Sequence, residues 1–99
     1  MFGYLRADDE TDDEQIRAME RAFRRLALAE GFCLAITFYE YTPGHHGAFH
    51  ELADELTRAE AHDVVVPSLG HLSPHPLLRS QLIAQLVCYA DAHIWVIEP

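Results

Sequence analysis

Hydrophobic residues fall into short continuous runs that alternate with segments in which they recur every three or four positions. Four runs rich in branched and aromatic residues predict strands, at residues 2–5, 32–39, 64–66 and 93–97. Three segments with helical spacing predict amphipathic helices, with apolar faces from Ile16 to Ala27, from Phe49 to Leu56 and from Leu78 to Tyr89. The element order is therefore βαβαβαβ.

The first predicted helix carries boundary signals at both ends. Thr11 stands where an N-cap is expected, and Glu14 three residues later completes a capping box. Gly31 follows the last apolar position, where a glycine commonly ends a helix. These signals fix the first helix more firmly than periodicity alone does.

The predicted strands are apolar without alternation, which is typical of strands buried on both faces of a parallel sheet. Right-handed crossovers then give a single α/β domain, a three-layer α/β/α sandwich around a parallel four-stranded sheet. Sites in such folds lie at the carboxyl ends of the strands. This rule selects three loops, at residues 6–12, 40–46 and 68–75.

The acidic composition of the chain argues against some classes of binding partner. The 99 residues are 49% hydrophobic and carry a formal net charge of −9, which repels nucleic acid and anionic membrane surfaces. We find no apolar run long enough for a signal peptide or a membrane span. Cys33 and Cys88 lie inside apolar runs and are predicted to be buried, reduced thiols. We therefore expect a cytoplasmic protein.

The loop after the first strand is strongly acidic, with six carboxylates between Asp8 and Glu14. Adjacent aspartates here also hold magnesium in phospho-receiver domains, but a receiver needs an aspartate after the third strand. Residues 67–69 are Pro-Ser-Leu, so we reject that interpretation. Clustered carboxylates would suit a hard cation. The favoured interpretation is that acids stabilise the N-terminus of the following helix.

Several motifs resemble the catalytic domain of serine recombinases, the resolvase/invertase family. Residues 4–8, Tyr-Leu-Arg-Ala-Asp, resemble the Tyr-x-Arg-x-Ser segment that ends its first strand. Residues 38–44 resemble its acid-x-x-Ser-Gly loop, and residues 46–49 its arginine-led helix start. Residues 63–72 resemble its Asp-Val-Val-Val strand with the next loop, and residues 92–97 its closing strand. The resemblance implies a resolvase-like sheet of order 2-1-3-4.

The active-site positions implied by this resemblance carry other residues. The differences are Asp8 for the nucleophilic serine, Pro43 for the serine of the second loop, His46 for the arginine opening the second helix, Gly70-His71 for an Asp-Arg pair, and Pro74 for the next arginine. Only Arg6 matches. Phosphoryl transfer to serine needs a hydroxyl nucleophile and fixed cations, which histidine cannot replace geometrically. We therefore predict a degenerate domain with no catalytic residue and no cofactor.

The family's long dimerisation helix and DNA-binding domain would follow this segment. The sequence ends at Pro99, so we expect a single domain over residues 1–99 that lacks both. It shows no helix-turn-helix pattern and no basic stripe. We expect no nucleic-acid partner.

Two histidine pairs have a spacing that can bind zinc on a helix. These candidate ligands are His46 with His50, and His71 with His75. The first pair stands at a predicted helix start and the second in a loop; both follow strands at one predicted sheet edge and could converge, but no His-Glu-x-x-His pattern is present. Replacement of former arginines explains the histidines more simply, and we predict no metal.

Three functional hypotheses follow. The first is an inactive resolvase-like domain that acts through protein contacts, with itself or as a non-catalytic partner of a recombinase or regulator. The apolar helix from Pro76 to Ala90 is its candidate surface. The second is a small-molecule or metal-binding protein or enzyme that reuses a pocket formed by Arg6, Asp8, His46 and His71. The third is residual DNA binding inherited from the family.

Overall fold

The computed structural model, which describes residues 1–42 and 44–98, contains the predicted alternation of strands and helices. The elements are β1 (Phe2–Arg6), α1 (Asp13–Ala29), β2 (Ile36–Glu40), α2 (Gly47–Arg58), β3 (Asp63–Val66), a 3₁₀ turn (Leu69–His71), α3 (Pro76–Ala84), a π turn that continues it (Gln85–Tyr89), and β4 (His93–Val96). No helix among the described residues combines the length and apolar character needed to cross a bilayer.

The four strands form one parallel sheet in the order β2-β1-β3-β4, which is the order that the resemblance to serine recombinases implies. β1 pairs with β2 so that Arg6 lies beside Glu40. On its other side β1 pairs with β3, which pairs in turn with β4. Because all strands run the same way, the loops that follow β1, β2 and β3 meet at one edge of the sheet.

Successive residues of β1 point to opposite faces and divide the core in two, as strand geometry requires. Tyr4 packs with Phe49 of α2 and Leu86 of the π turn, whereas Leu5 packs with Phe23 of α1. α1 therefore covers one face, and α2 and α3 cover the other. Each of these fully buried large apolar side chains contributes about 1.5–3 kcal/mol of hydrophobic stabilisation.

The start of α1 differs by one residue from the prediction. Asp12, rather than Thr11, is the N-cap: its Oδ1 accepts the Gln15 N–H at 2.8 Å. The Gln15 side chain accepts the Asp12 N–H at 2.9 Å and closes the capping box in place of Glu14. The Thr11 hydroxyl is used within the preceding turn instead, since its oxygen accepts the Asp8 N–H at 3.2 Å and its proton is donated to Asp8 Oδ1. The predicted end is confirmed, since Gly31 follows the helix with φ of +82°.

The second and fourth strands are less buried than predicted because they lie at the two edges of the sheet. β2 begins at Ile36 instead of residue 32, and Ile36 is exposed. Cys33 therefore precedes the strand. Both cysteines are free thiols, but the prediction that they are buried is wrong, because Cys33 and Cys88 are exposed. Trp95 of β4 is half-buried and donates its Nε1–H to Asp63 at 3.0 Å.

The third helix changes geometry before its end. Leu78, Leu82 and Leu86 face the core as predicted. Tyr89, which the helical spacing assigned to the same stripe, is 86% exposed. The cause is the π turn, in which a wider i to i+5 turn rotates the residues that follow relative to an α-helix.

Candidate functional site

A cleft of about 310 Å³ lies at the carboxyl edge of β1, where the three selected loops meet. The residues that line it are Arg6, Ala7, Asp8, Gly44, Gly70, His71 and Pro74. The predicted site residues Arg6, Asp8, Gly70, His71 and Pro74 are thus brought together. His46 reaches the same place from the start of α2 through a contact with Arg6. Pro43 lies outside the described residues.

The Arg6 side chain is fixed by neutral acceptors. Its Nε donates to the His71 carbonyl at 3.3 Å, and its Nη2 donates to the Leu72 carbonyl and to the Tyr4 hydroxyl, each at 3.4 Å. Across the part of the chain that the structure describes, no carboxylate forms an ion pair with Arg6. The guanidinium therefore brings a positive charge to the cleft that no salt bridge neutralises.

The two histidines at the cleft both direct Nδ1 at donors of Arg6. The Arg6 backbone N–H donates to His71 Nδ1 at 3.0 Å, and Arg6 Nη2 lies 3.2 Å from His46 Nδ1. Since guanidinium and amide nitrogens only donate, each Nδ1 must be an unprotonated acceptor. Burial and then the charge of Arg6 lower the pKa of both imidazoles, although Glu40 acts in the opposite direction on His46 and Glu98 on His71. Both rings are therefore neutral at neutral pH, with the proton on Nε2.

Asp8 occupies the position where the resemblance implies a nucleophile, but its carboxylate is engaged in its own turn. Oδ1 accepts the Glu10 N–H at 2.9 Å and the Thr11 hydroxyl at 3.0 Å. The hydrogen bond from Thr11 is the main reason that the pKa of Asp8 lies below its ordinary value. Asp8 is therefore an exposed anion at the rim of the cleft.

Glu40 is a buried carboxylate that the sequence analysis did not select. It is 6% exposed, and its Oε2 accepts the Ala48 and Phe49 N–H groups at 3.0 and 3.2 Å. It also accepts the Tyr4 hydroxyl at 3.2 Å. Burial raises the pKa of Tyr4, which keeps that hydroxyl protonated and able to donate. The available signals were an acid at the end of an apolar strand and its place as the acid of the acid-x-x-Ser-Gly resemblance at residues 38–44.

Glu40 takes the place of an N-cap for α2. His46, the N-cap residue, makes no capping hydrogen bond with its side chain. The Glu40 carboxylate instead accepts the first free amides of the helix, where a negative charge is favourable. Glu40, Tyr4 and Arg6 form one polar chain, since Arg6 donates to the same hydroxyl that donates to Glu40.

The four histidines considered as metal ligands do not form one cluster. His46 and His71 adjoin Arg6, whereas His50 lines a separate groove between α2 and the π turn. His75 is exposed at the start of α3. Within residues 1–42 and 44–98, no three His, Cys, Asp or Glu side chains are placed to hold a metal ion.

A parallel sheet of this order, with helices on both faces and a cleft at the end of β1, defines the chain as having the fold of serine recombinase catalytic domains. The chain is similar in structure to the C-terminal catalytic domain of ISC1926 TnpA, an IS607-like serine recombinase, with a TM-score of 0.79 and 15% sequence identity. That match covers 99% of this chain and 68% of the other.

A second similar structure is the N-terminal catalytic domain of TP901-1 integrase, with a TM-score of 0.77 and 16% identity over 97% of this chain and 75% of the other. No protein-family model and no curated protein matches the sequence. The fold implied by the sequence motifs is therefore confirmed, at an identity so low that the likeness concerns fold alone.

Proposed function

We propose that this chain is a resolvase-like domain that does not cleave DNA and acts through contacts with other proteins. The observation that carries the proposal is the charge at the cleft. The cleft offers one guanidinium, from Arg6, beside two neutral imidazoles and the anionic Asp8. We place the protein in the cytoplasm, as expected from its sequence.

The chemistry of strand cleavage is poorly served by such a site. Attack on a DNA phosphate needs an activated nucleophile and several preorganised cations around the phosphoryl oxygens. Asp8 is a carboxylate already engaged by its own loop, and the acids that follow it repel a polyanion. His46 and His71 accept hydrogen bonds from Arg6 at Nδ1, so they add no positive charge near neutral pH.

Incubation of the purified chain with supercoiled plasmid tests the absence of cleavage. We expect no nicking and no covalent protein–DNA adduct on a denaturing gel. An adduct that maps to a residue of the cleft would overturn the proposal. A gel shift on random duplex at low salt addresses the DNA-binding alternative, and we expect no shift because of the net charge of −9.

The protein-contact half of the proposal needs a separate test. The partner is a second copy of the chain or another protein, such as a recombinase or regulator that this chain would join as a non-catalytic partner. Sedimentation of the purified chain reports self-association, and cross-linking of the tagged chain in its native cell reports other partners. A chain that is monomeric and forms no specific cross-link would contradict this half.

A second candidate function is binding of a small anionic ligand in the cleft. It is favoured by the Arg6 guanidinium, which no described carboxylate pairs, and by a volume of about 310 Å³ at its side. Titration with inorganic phosphate, followed by NMR shifts of the Arg6 and His71 amides, tests it. The variant Asp8→Asn removes the nearest negative charge at the rim of the cleft and should strengthen phosphate binding. Spectra that phosphate leaves unchanged in both proteins would exclude this function. No reaction and no metal is assigned to the cleft.

A further inference from the structure

The arginines of the chain are concentrated on α1. Four of the seven, Arg17, Arg21, Arg24 and Arg25, lie in that helix, and the chain has no lysine. Residues 17–29 contain these four arginines and one acid, Glu20, so the segment has a formal charge of +3 in a chain whose net charge is −9. Acids precede and follow the segment, so the sequence alone showed no basic stripe. In the folded helix the arginines form a positively charged side.

The solvent side of this segment combines arginine with small and apolar residues. The exposed residues between positions 17 and 29 are Arg17, Ala18, Arg21, Arg24, Arg25, Leu28 and Ala29, and we call these seven residues the α1 basic face. Glu20 does not belong to it, since this side chain is half-buried and accepts the Tyr39 hydroxyl. Leu28 is 80% exposed, which leaves a large aliphatic side chain in water at one end of the face.

The arginines of the face are only partly neutralised within the chain. Arg17 and Arg21 share the carboxylate of Glu14, at 3.7 and 3.4 Å. Both pairs are exposed to solvent, where an ion pair contributes little stability. Arg24 and Arg25 form no ion pair with any residue that the structure describes. Two guanidinium groups close to Leu28 along the helix can therefore pair with carboxylates of another molecule.

We propose that the α1 basic face binds an acidic segment of another protein, in which carboxylates pair with the arginines and an apolar side chain packs on Leu28. The proposal rests on the proposed function and names its surface and the chemistry of its partner. Leu28 follows Arg21, Arg24 and Arg25 by seven, four and three positions, which places all four side chains on one side of the helix. Arginine suits this contact because its planar guanidinium can bind a carboxylate through two hydrogen bonds.

The length and the surroundings of the face favour an acidic protein segment over nucleic acid. From Arg17 to Leu28 the face is about 16 Å long. A nucleic acid duplex would extend beyond it and meet the carboxylates of residues 8–14, which lie before α1 and in its first turn. A short peptide segment can stay within the face. Leu28 can also bury its side chain against an apolar residue of a protein, whereas a phosphate backbone offers it no such contact.

Fluorescence anisotropy with a labelled peptide of repeated Asp-Glu-Leu units tests this contact. We expect saturable binding that weakens as ionic strength rises, because salt screens the attraction between exposed charges. A peptide of repeated Asn-Gln-Leu units should not bind. Single-stranded DNA of the same charge should bind at least ~10-fold more weakly, because it meets the acidic loop. DNA that binds as tightly as the acidic peptide would overturn the choice of a protein partner.

Charge reversal on the face should weaken the binding of the acidic peptide. Arg25→Glu should raise the dissociation constant at least ~5-fold, because it turns an attractive contact into a repulsive one. Arg58→Glu is the matched control: Arg58 is an exposed arginine at the end of α2, on the other side of the sheet, and its reversal should leave the constant within ~2-fold. Leu28→Ser should weaken binding at least ~3-fold.

All three positions are exposed, so circular dichroism should show an unchanged fold in each variant. A dissociation constant that Arg25→Glu leaves unchanged would overturn the proposed surface, and one that Leu28→Ser leaves unchanged would overturn the apolar contact. Sedimentation in which the wild type self-associates and Arg25→Glu does not would assign the face to a second copy and overturn the acidic partner.

Cross-linking in the native cell separates this proposal from the proposed function. A partner that the wild type and Arg58→Glu capture, and that Arg25→Glu loses, would support both. A partner that Arg25→Glu still captures would overturn the α1 basic face while supporting a protein-contact function. A wild-type chain that is monomeric and captures no partner would contradict the proposed function itself, whatever the peptide binds.

Discussion

Replacement of Glu40 by alanine should destabilise the protein strongly, because three donors lose their shared acceptor. The Ala48 and Phe49 amides and the Tyr4 hydroxyl all donate to Glu40 Oε2. Hydrogen bonds to a charged group contribute about 1.5–3 kcal/mol each, and unsatisfied buried donors are costly. Water can reach the Ala48 side of the site, so we expect a total loss of about 3–5 kcal/mol rather than the full sum. That is a large part of the ~5–15 kcal/mol typical of a domain.

Urea unfolding followed by circular dichroism measures this loss as a lower midpoint at unchanged slope. Hydrogen exchange gives a local readout, since the Ala48 and Phe49 amides should lose protection before the rest of α2. Glu51→Ala is the control: Glu51 is an exposed acid on the same helix, and its loss should change stability by at most ~0.5 kcal/mol. A loss below ~1 kcal/mol for Glu40→Ala, with normal protection of both amides, would refute the capping role.

Three further predictions concern packing, acidity and chemistry. Gly3→Ala should cost about 1–3 kcal/mol in urea unfolding, since its Cβ would lie 2.7 Å from Phe23 Cδ2 and force α1 outward. The free energy of unfolding should be constant above about pH 7 and fall as the pH drops through 6.5, because His46 and His71 then bind protons more readily in the unfolded state, where their pKa is not lowered. Urea midpoints at several pH values measure this dependence. A flat profile between pH 7 and 5 would contradict it. Asp8→Ser should place a hydroxyl at the cleft without producing plasmid nicking, since Arg6 is the one arginine among the described lining residues, and any covalent adduct in this variant would show that Arg6 alone suffices.

The strand runs and helical stripes are strong signals and were sufficient for the order of elements along the chain, whereas the order of strands in the sheet came from the family resemblance. The sequence did not predict which residues are exposed where that depends on the position of a strand in the sheet or on the geometry of a helix turn. β2 and β4 lie at the edges of the sheet, so they expose residues that an apolar run alone would predict to be buried. Cys33 is exposed and precedes β2, although the sequence predicted it to lie within that strand. The turn of Tyr89 out of the core depends on a π turn, which has no distinct hydrophobic period.

The position of the candidate site could be predicted from the sequence, but the hydrogen bonds and protonation of its residues could not. Parallel strands dictate that Arg6, Asp8 and His71 meet at one edge, and they do. The roles within the cleft depend on hydrogen bonds that no spacing reveals. One such bond is the backbone donor of Arg6 that keeps His71 Nδ1 unprotonated. Another is the capture of two helix amides by Glu40, which stands seven residues before the helix begins.

The hydrogen bonds of Arg6 also give this residue a structural role. Its side chain joins the end of β1 to the carbonyls of His71 and Leu72, and so fastens the first strand to the segment after the third. Loss of this arginine would loosen the framework of the domain whether or not anything ever enters the cleft. A chain that had given up all chemistry at this edge would still have a mechanical reason to retain it. Arg6 therefore has a structural role that does not depend on any activity at the cleft.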